Sequence, residues 1–360
     1  MWAFLFLGGK EMARQGILHR YEKDLPLTRA TPRITLMEGD TPLIHLKNLS
    51  RELKVELWAK FDGLNPTGSF KDRGMVMAVA KALEEKTTAV ICASTGNTSA
   101  SAAAYAASAG LACFVLLPAG KVALGKLTQA LIYGAKVVAV KGNFDEALQL
   151  AREAALSKKI TLVNSINPYR LWGQRSAAWE ICDELQKAPD WIVLPVGNAG
   201  NISAYAAGLE YYKEIGKIDS MPRLMGVQAE GAAPLVLGRI VEKPETVATA
   251  IRIGNPVNAE KAVRAIEMSN GKFDAVTDTE ILEAQRELAS QDGVFAEPAS
   301  CAPLAFLLKQ KRAGKLSEGL RIVLILTGNG LKDPDSPLQG LPGPISAEGT
   351  LEALKGVLGL

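Results

Sequence analysis

The feature that most constrains this chain is an alternation of short apolar runs with segments of helical period. Ala89–Ala93, Leu111–Leu117 and Val137–Val140 read as strands, separated by helices over Thr98–Ser108 and Lys126–Tyr133. Asn143 followed by Glu146 predicts a capped helix carrying Phe144, Leu148, Ala151 and Ala155 on one face. A second series follows. Asn167-Pro168 opens a helix toward Leu185, Trp191–Val196 is a strand, and Ile202–Ile215 is a helix. Leu224–Gln228 is a strand and Asn258–Met268 a helix, and Thr277 with Glu280 caps a helix to Ser290. Val294–Ala296 is short and extended, Ser300–Lys311 helical and Arg321–Leu326 a strongly apolar strand. Such an alternation predicts an α/β fold of mostly parallel sheets covered on both faces.

At 360 residues the chain has length for two open αβ lobes. We expect a small lobe over residues 85–150 and a large one over 1–84 and 151–360. Within the large lobe, residues 20–60 form an irregular entry with a turn at Gly39–Pro42 and strands Leu43–Leu46 and Val55–Lys60. The tail from Lys332 is rich in proline and glycine, with a helix near Leu351–Leu360. A net charge of +3 gives no electrostatic reason to expect nucleic acid or a membrane surface. Cys92, Cys113, Cys182 and Cys301 lack metal-site spacing and read as buried free thiols in a reducing compartment, and His19 and His45 form no ligand pair, so no metal is expected. The apolar start Met1–Leu7 lacks the basic flank and cleavage site of a signal peptide, which leaves a cytoplasmic protein as the expectation.

The chemistry is expected at Asn65–Gly74, NPTGSFKDRG. Asn65–Gly68 is turn material, and Ser69 with Asp72 reads as a capping box opening a helix that continues through Met75, Val79 and Leu83. Lys71 then lies in the first turn, where the positive end of the helix dipole disfavours the ammonium and leaves a neutral amine able to attack a carbonyl. Taken alone, this is equally the description of a solvated lysine.

Other stretches carry similar ambiguity. Gly197, Asn198, Ala199, Gly200 and Asn201 join a strand to a helix, so their amides can converge on an anion, although a tight turn would look the same. The GxGxxG spacing of a dinucleotide site is absent there. Ser94, Thr95 and Thr98 place hydroxyls, and Asn97 an amide, at a helix start, which suits a carboxylate or is an ordinary cap. Asn164, Ser165 and Arg170 put an amide, a hydroxyl and a guanidinium around another helix start, either a phosphate site or a solvated surface. Thr327 ends an apolar strand, at the edge where parallel sheets bind ligands. Gly120–Lys126 has P-loop spacing, but Leu127 stands where a Ser or Thr must bind magnesium.

NPTGSFKDRG closely resembles the Schiff-base segment of the threonine synthase branch of the tryptophan synthase β-like pyridoxal-phosphate enzymes. The glycine/asparagine turn at 197–201, the Asn-Ser…Asn-Pro…Arg arrangement and Thr327–Asp333, TGNGLKD, resemble the same branch, in consistent order between about Gly39 and Asp333. The resemblance implies a fold type II enzyme with pyridoxal 5'-phosphate in the cleft between the lobes. It implies that Lys71 carries the cofactor, Asn97 bonds its phenolic oxygen, Gly197–Asn201 hold its phosphate and Thr327 meets its ring nitrogen. Ser94, Thr95 and Thr98 would grip the substrate carboxylate, and Asn164, Ser165 and Arg170 the substrate phosphate. The implied reaction converts O-phospho-L-homoserine and water to L-threonine and phosphate, in a homodimer. The alternatives are a serine/threonine dehydratase, which has no use for a second phosphate pocket, and a non-catalytic small-molecule-binding homologue.

Overall fold

The computed structural model describes residues 15–119, 124–334 and 343–359. Met1–Leu7 and residues 120–123 of the P-loop-like stretch lie outside the described residues. The first strands are β1 (Leu43–His45), β2 (Glu56–Phe61), β3 (Ala89–Ala93), β4 (Ala112–Pro118) and β5 (Lys136–Val140). Then come β6 (Ile160–Leu162), β7 (Trp191–Pro195), β8 (Arg223–Ala229), β9 (Lys272–Val276) and β10 (Arg321–Leu326). The helices begin with α1 (Ile17–Arg20), α2 (Lys47–Leu53), α3 (Lys71–Glu84), α4 (Asn97–Ser108), α5 (Leu124–Ile132) and α6 (Phe144–Ala155). They continue as α7 (Pro168–Leu185), α8 (Gly200–Glu214), α9 (Pro234–Leu237), α10 (Ala259–Met268), α11 (Asp278–Asp292) and α12 (Pro298–Arg312). Leu351–Leu358 forms a last helix.

Two sheets result, one ordered β1-β2-β10-β7-β8-β9 and the other β5-β4-β3-β6. All neighbours are parallel except β1 with β2. The strands are apolar on both faces because both faces are covered. In β10, Val323 and Ile325 enter a core with α3, α7 and α8, whereas Ile322, Leu324 and Leu326 enter another with α2, α11 and α12. In β3, Val90 and Cys92 join the first of these cores, and Ile91 and Ala93 pack with α6. One apolar core thus runs continuously between the two sheets.

The expected alternation is present, with both capping boxes, Asn143 with Glu146 and Thr277 with Glu280, formed as read. Asn167 caps α7 through the Tyr169 amide, with Pro168 first in the helix. Other details differ. β6 joins the small sheet beside β3, past the boundary expected at 150. β6, β9 and α2 were not foreseen, and α12 begins at Pro298 rather than Ser300. Ser69 and Asp72 form no capping box. Ser69 is still extended, bridged to Gly328, while Asp72 accepts from the Thr67 amide at 2.7 Å, the Thr67 hydroxyl at 2.6 Å and Ser101 on α4 at 2.6 Å. Burial nevertheless raises the Asp72 carboxyl to about 6.

Helices α3 and α7 cross with their backbones in contact. A Cβ on Gly173 would lie 2.0 Å from the Arg73 carbonyl oxygen, and one on Gly74 2.6 Å from that of Arg170. This approach lets Arg73, 1% exposed, reach across α7. Its guanidinium donates to Asp62 at 2.8 Å, to both oxygens of Glu180 at 2.6 and 2.7 Å, and to the hydroxyls of Thr41 at 2.9 Å and Ser176 at 3.1 Å. Lys60 of β2, also fully buried, reaches Glu180 at 2.9 Å and Glu184 at 2.5 Å. Burial works against the Glu180 charge, but Arg73 and Lys60 hold its carboxyl well below the usual range. Removing one partner of a buried ion pair leaves the other uncompensated, at a cost of about 3–5 kcal/mol. Arg73→Met is therefore expected to lower urea unfolding stability by about that amount. A loss within about 1 kcal/mol, the range of exposed ion pairs, would show that the cluster does not hold the fold.

Candidate active site

β10 lies between β2 and β7, and all three run parallel, so their C-terminal ends open on one edge. Ligands of open parallel sheets bind at such an edge. The register pairs Leu326 with Phe61 and Leu324 with Val193. The connections leaving these ends are stitched together. Phe70 N–H donates to the Thr327 carbonyl at 2.9 Å and Asn329 N–H to that of Gly68 at 3.0 Å.

Lys71 is the first residue of α3, and it lines a narrow cavity with Thr327, Ser165, Gln174 and the turn Gly197–Asn201. Its Nζ stands 4.1 Å from the centroid of the Phe70 ring. Burial pulls the amine down to about 7, helped by the Arg170 charge and opposed by Glu297. An amine so depressed is substantially neutral near neutral pH.

The turn after β7 is shaped for an anion. Ala199 is left-handed with φ 61°, and α8 starts at Gly200 without a side-chain cap, so its first amides stay open beside the cavity. A Cβ on Gly197 would stand 2.9 Å from Ile251 Cα and 3.2 Å from the Ala250 carbonyl oxygen. The Asn198 side chain is committed to the scaffold. It accepts from Val257 N–H at 2.7 Å and donates to Ser165 Oγ at 2.9 Å. Two buried polar atoms lining the cavity, Asn201 Nδ2 and Gln174 Oε1, have no partner within the protein. Open amides, orphaned polar atoms and a near-neutral lysine together fit a phosphorylated aldehyde cofactor.

Thr327 Oγ1 is 2.9 Å from Ser300 Oγ and donates to Glu297 Oε1 at 3.5 Å. Glu297 also accepts from Asn97 Nδ2, at 3.1 and 3.3 Å. Asn97 and Glu297 belong to a wider cavity of about 520 Å³, whose wall includes Gly96, Gln129, Asn329 and Lys332. Burial raises the Glu297 carboxyl, while Asn97 and the lysines 332 and 71 oppose it. Glu297, Gln174, Ser300 and Lys332 were not singled out from sequence. The signal for Glu297 is its place before Pro298, at an N-cap where Ser, Thr, Asp or Asn is usual.

α4 starts after Gly96 with no side-chain cap. Ser94 Oγ accepts from the Gly96 amide at 3.2 Å, Thr95 is exposed and Thr98 half-buried. Gly96 and Asn97 line the wider cavity, whereas Ser94, Thr95 and Thr98 line neither. The three residues expected to bind a second phosphate are not brought together as one donor set. Asn164 exchanges two hydrogen bonds with the Ala93 backbone, at 2.9 and 3.0 Å, and so clips the end of β3. Ser165 faces the cavity beside the turn. Arg170, 1% exposed, donates Nη1 to the Val163 carbonyl at 2.7 Å, and its Nε has no partner. Arg170 is a buried cation rather than the surface arginine that the spacing also allowed.

The Lys71 environment predicts a pH dependence with a definite sign. Only the neutral amine reacts with acylating reagents, so trace labelling of Lys71 in cofactor-free protein should rise with pH, with a midpoint near 7. A midpoint near about 10.4, that of an ordinary lysine, would contradict the assigned environment.

The chain is similar to known proteins along most of its length. Residues 34–328 match the family described as pyridoxal-phosphate dependent enzyme. A threonine synthase of Bacillus sp. (strain ULM1) is 58% identical over 322 residues, 89% of this chain and 91% of that protein. A threonine synthase of Methanocaldococcus jannaschii is 52% identical over 349 residues, 94% of this chain and 86% of that protein. Among solved structures, the processed threonine deaminase isoform 2 of Solanum lycopersicum superposes with a TM-score of 0.70 at 21% identity, covering 81% of this chain and 79% of its own, a likeness of fold. The chain belongs to the pyridoxal-phosphate-dependent enzymes.

Proposed function

We propose that this chain is a threonine synthase, converting O-phospho-L-homoserine and water to L-threonine and phosphate. The observation that carries this reading is majority identity to threonine synthases along nearly the whole chain. When bound, pyridoxal phosphate supplies the electron sink.

In this reading Lys71 carries the cofactor at rest. The near-neutral amine of Lys71, when not bound to the cofactor, would be the group that moves protons at the substrate's Cα and Cβ. The open amides of Gly197–Asn201 hold the cofactor phosphate, while Asn97 and Thr327 meet the ring's oxygen and nitrogen. Thr327 is neutral and does not enforce a protonated ring. The uncapped start of α4 receives the substrate carboxylate through backbone amides, with Ser94, Thr95 and Thr98 shaping that turn. Ser165 on the cavity wall and the buried Arg170 are assigned to the substrate phosphate, and Asn164 holds their segment against β3. We place the enzyme in the cytoplasm as a homodimer. Four buried free thiols support a reducing compartment, and among the described residues no helix is long and apolar enough to cross a membrane.

The test is product analysis with O-phosphohomoserine, for which equimolar phosphate and threonine are expected. Oxobutyrate in place of threonine would favour a dehydratase, and no turnover by cofactor-loaded protein would favour a binding protein. Arg170→Leu extends the test. Losing a charge-assisted hydrogen bond costs roughly 1.5–3 kcal/mol, so kcat/KM on the phosphorylated substrate should fall about ten- to a hundredfold. Side reactions on serine or threonine should be affected far less. Equal losses on both substrate classes would make Arg170 structural and place the substrate-phosphate site elsewhere.

A further inference from the structure

Glu297 is a buried carboxylate in the wall of the wider cavity that the reading above does not use. It stands at the start of α12, 5% exposed, on the six-stranded-sheet side of the cleft. Its backbone is fixed there, with its N–H donating to the Gly328 carbonyl at 3.0 Å. Its side chain packs on Gly328, where a Cβ would come within 2.4 Å of the carboxyl carbon. From this anchor the carboxylate crosses to Asn97, the first residue of α4 on the small sheet's side, and takes the amide nitrogen at 3.1 and 3.3 Å. The same carboxylate accepts from the Thr327 hydroxyl at 3.5 Å. One group therefore touches both side chains assigned to the cofactor ring, and they come from opposite sides of the cleft.

An ionised carboxylate only accepts, so it dictates which end of the Asn97 carboxamide faces it. The NH2 group carries two hydrogens. With one committed to Glu297, the nitrogen is locked on the cleft side and the second hydrogen remains available. Without Glu297, the carboxamide could turn its oxygen toward the cofactor's ring oxygen, setting acceptor against acceptor.

We propose that Glu297 is a positioning residue, fixing the Asn97 carboxamide so that its second N–H is presented to the phenolic oxygen of pyridoxal phosphate. The proposal rests on the assignment of Asn97 to that oxygen, and the test separates the two. Cofactor is resolved from the holoenzyme, and the dissociation constant for pyridoxal phosphate is measured by fluorescence titration for wild type, Asn97→Ala, Glu297→Ala, Glu297→Gln and the double alanine variant. The absorption band of bound cofactor is recorded in each.

Asn97→Ala and Glu297→Ala should each weaken cofactor binding about tenfold or more, as for loss of a charge-assisted hydrogen bond, and should shift the band in the same direction. Because Glu297 acts through Asn97, the double variant should be no weaker than Asn97→Ala within about twofold. Glu297→Gln, which keeps the shape and can still offer a carbonyl oxygen to Asn97, should recover much of the loss. If the alanine variant fails to fold, Glu297→Leu, which fills the space but offers no acceptor, takes its place with the same expected loss, and wild-type binding by it overturns the proposal. If Asn97→Ala weakens binding while Glu297→Ala and Glu297→Gln match wild type, the proposal is overturned and the Asn97 assignment stands. Multiplicative losses in the double variant would likewise overturn it. An Asn97→Ala variant that binds and absorbs as wild type does would overturn the Asn97 assignment, and the proposal with it.

Discussion

The ion cluster of Arg73, Asp62, Glu180 and Lys60 ties together the elements beside the candidate site. Each of these charges is out of water, and stripping a charge of water costs several kcal/mol per ion even after relaxation. Only a set that satisfies nearly every donor and acceptor can offset that cost. Arg73 on α3 meets Asp62 just past β2 and Glu180 on α7, and Lys60 at the end of β2 meets Glu180 from the other side. The strand end, the turn after it and the two helices are locked in one arrangement. Lys71 precedes Arg73 by two residues and has little freedom to be anywhere else. Gly74 and Gly173 make the arrangement possible, because any side chain at their contact would meet backbone.

The site then follows from topology and charge. Insertion of β10 between β2 and β7 gathers three loops that are distant in sequence: the lysine turn, the Gly197–Asn201 turn and the Thr327 segment. Around Lys71 the local field opposes its own charge, through burial and through Arg170, with only Glu297 pulling the other way. The Arg170 charge therefore acts on Lys71 itself. It helps keep the nucleophilic amine neutral even before any ligand arrives.

Much of this was legible in the sequence. The alternation predicted parallel sheets because doubly covered strands must be apolar on both faces, and two capping boxes were readable as local hydrogen-bond chemistry. What failed was decided by tertiary structure. Ser69 and Asp72 match a capping box, but Ser69 is held extended against Gly328 and the Asp72 carboxylate finds Thr67 and Ser101. β9 escaped notice because a half-exposed edge strand of sequence KFDAV carries little apolar pattern, and β6 because it has only three residues. The bonds of Asn164 to the end of β3 were equally hidden, because nothing local reveals that its amide matches the Ala93 backbone. Glu297 was invisible for the converse reason, since its partners Asn97 and Thr327 lie 200 and 30 residues away.

The central claim is that the folded chain delivers one particular lysine amine to the cofactor. Borohydride reduction of the cofactor-loaded protein, followed by peptide mapping, measures this directly. The pyridoxyl label is expected on Lys71, in the peptide containing NPTGSFKDRG. A label on Lys332, the lysine in the wall of the wider cavity, or on any other lysine would contradict it.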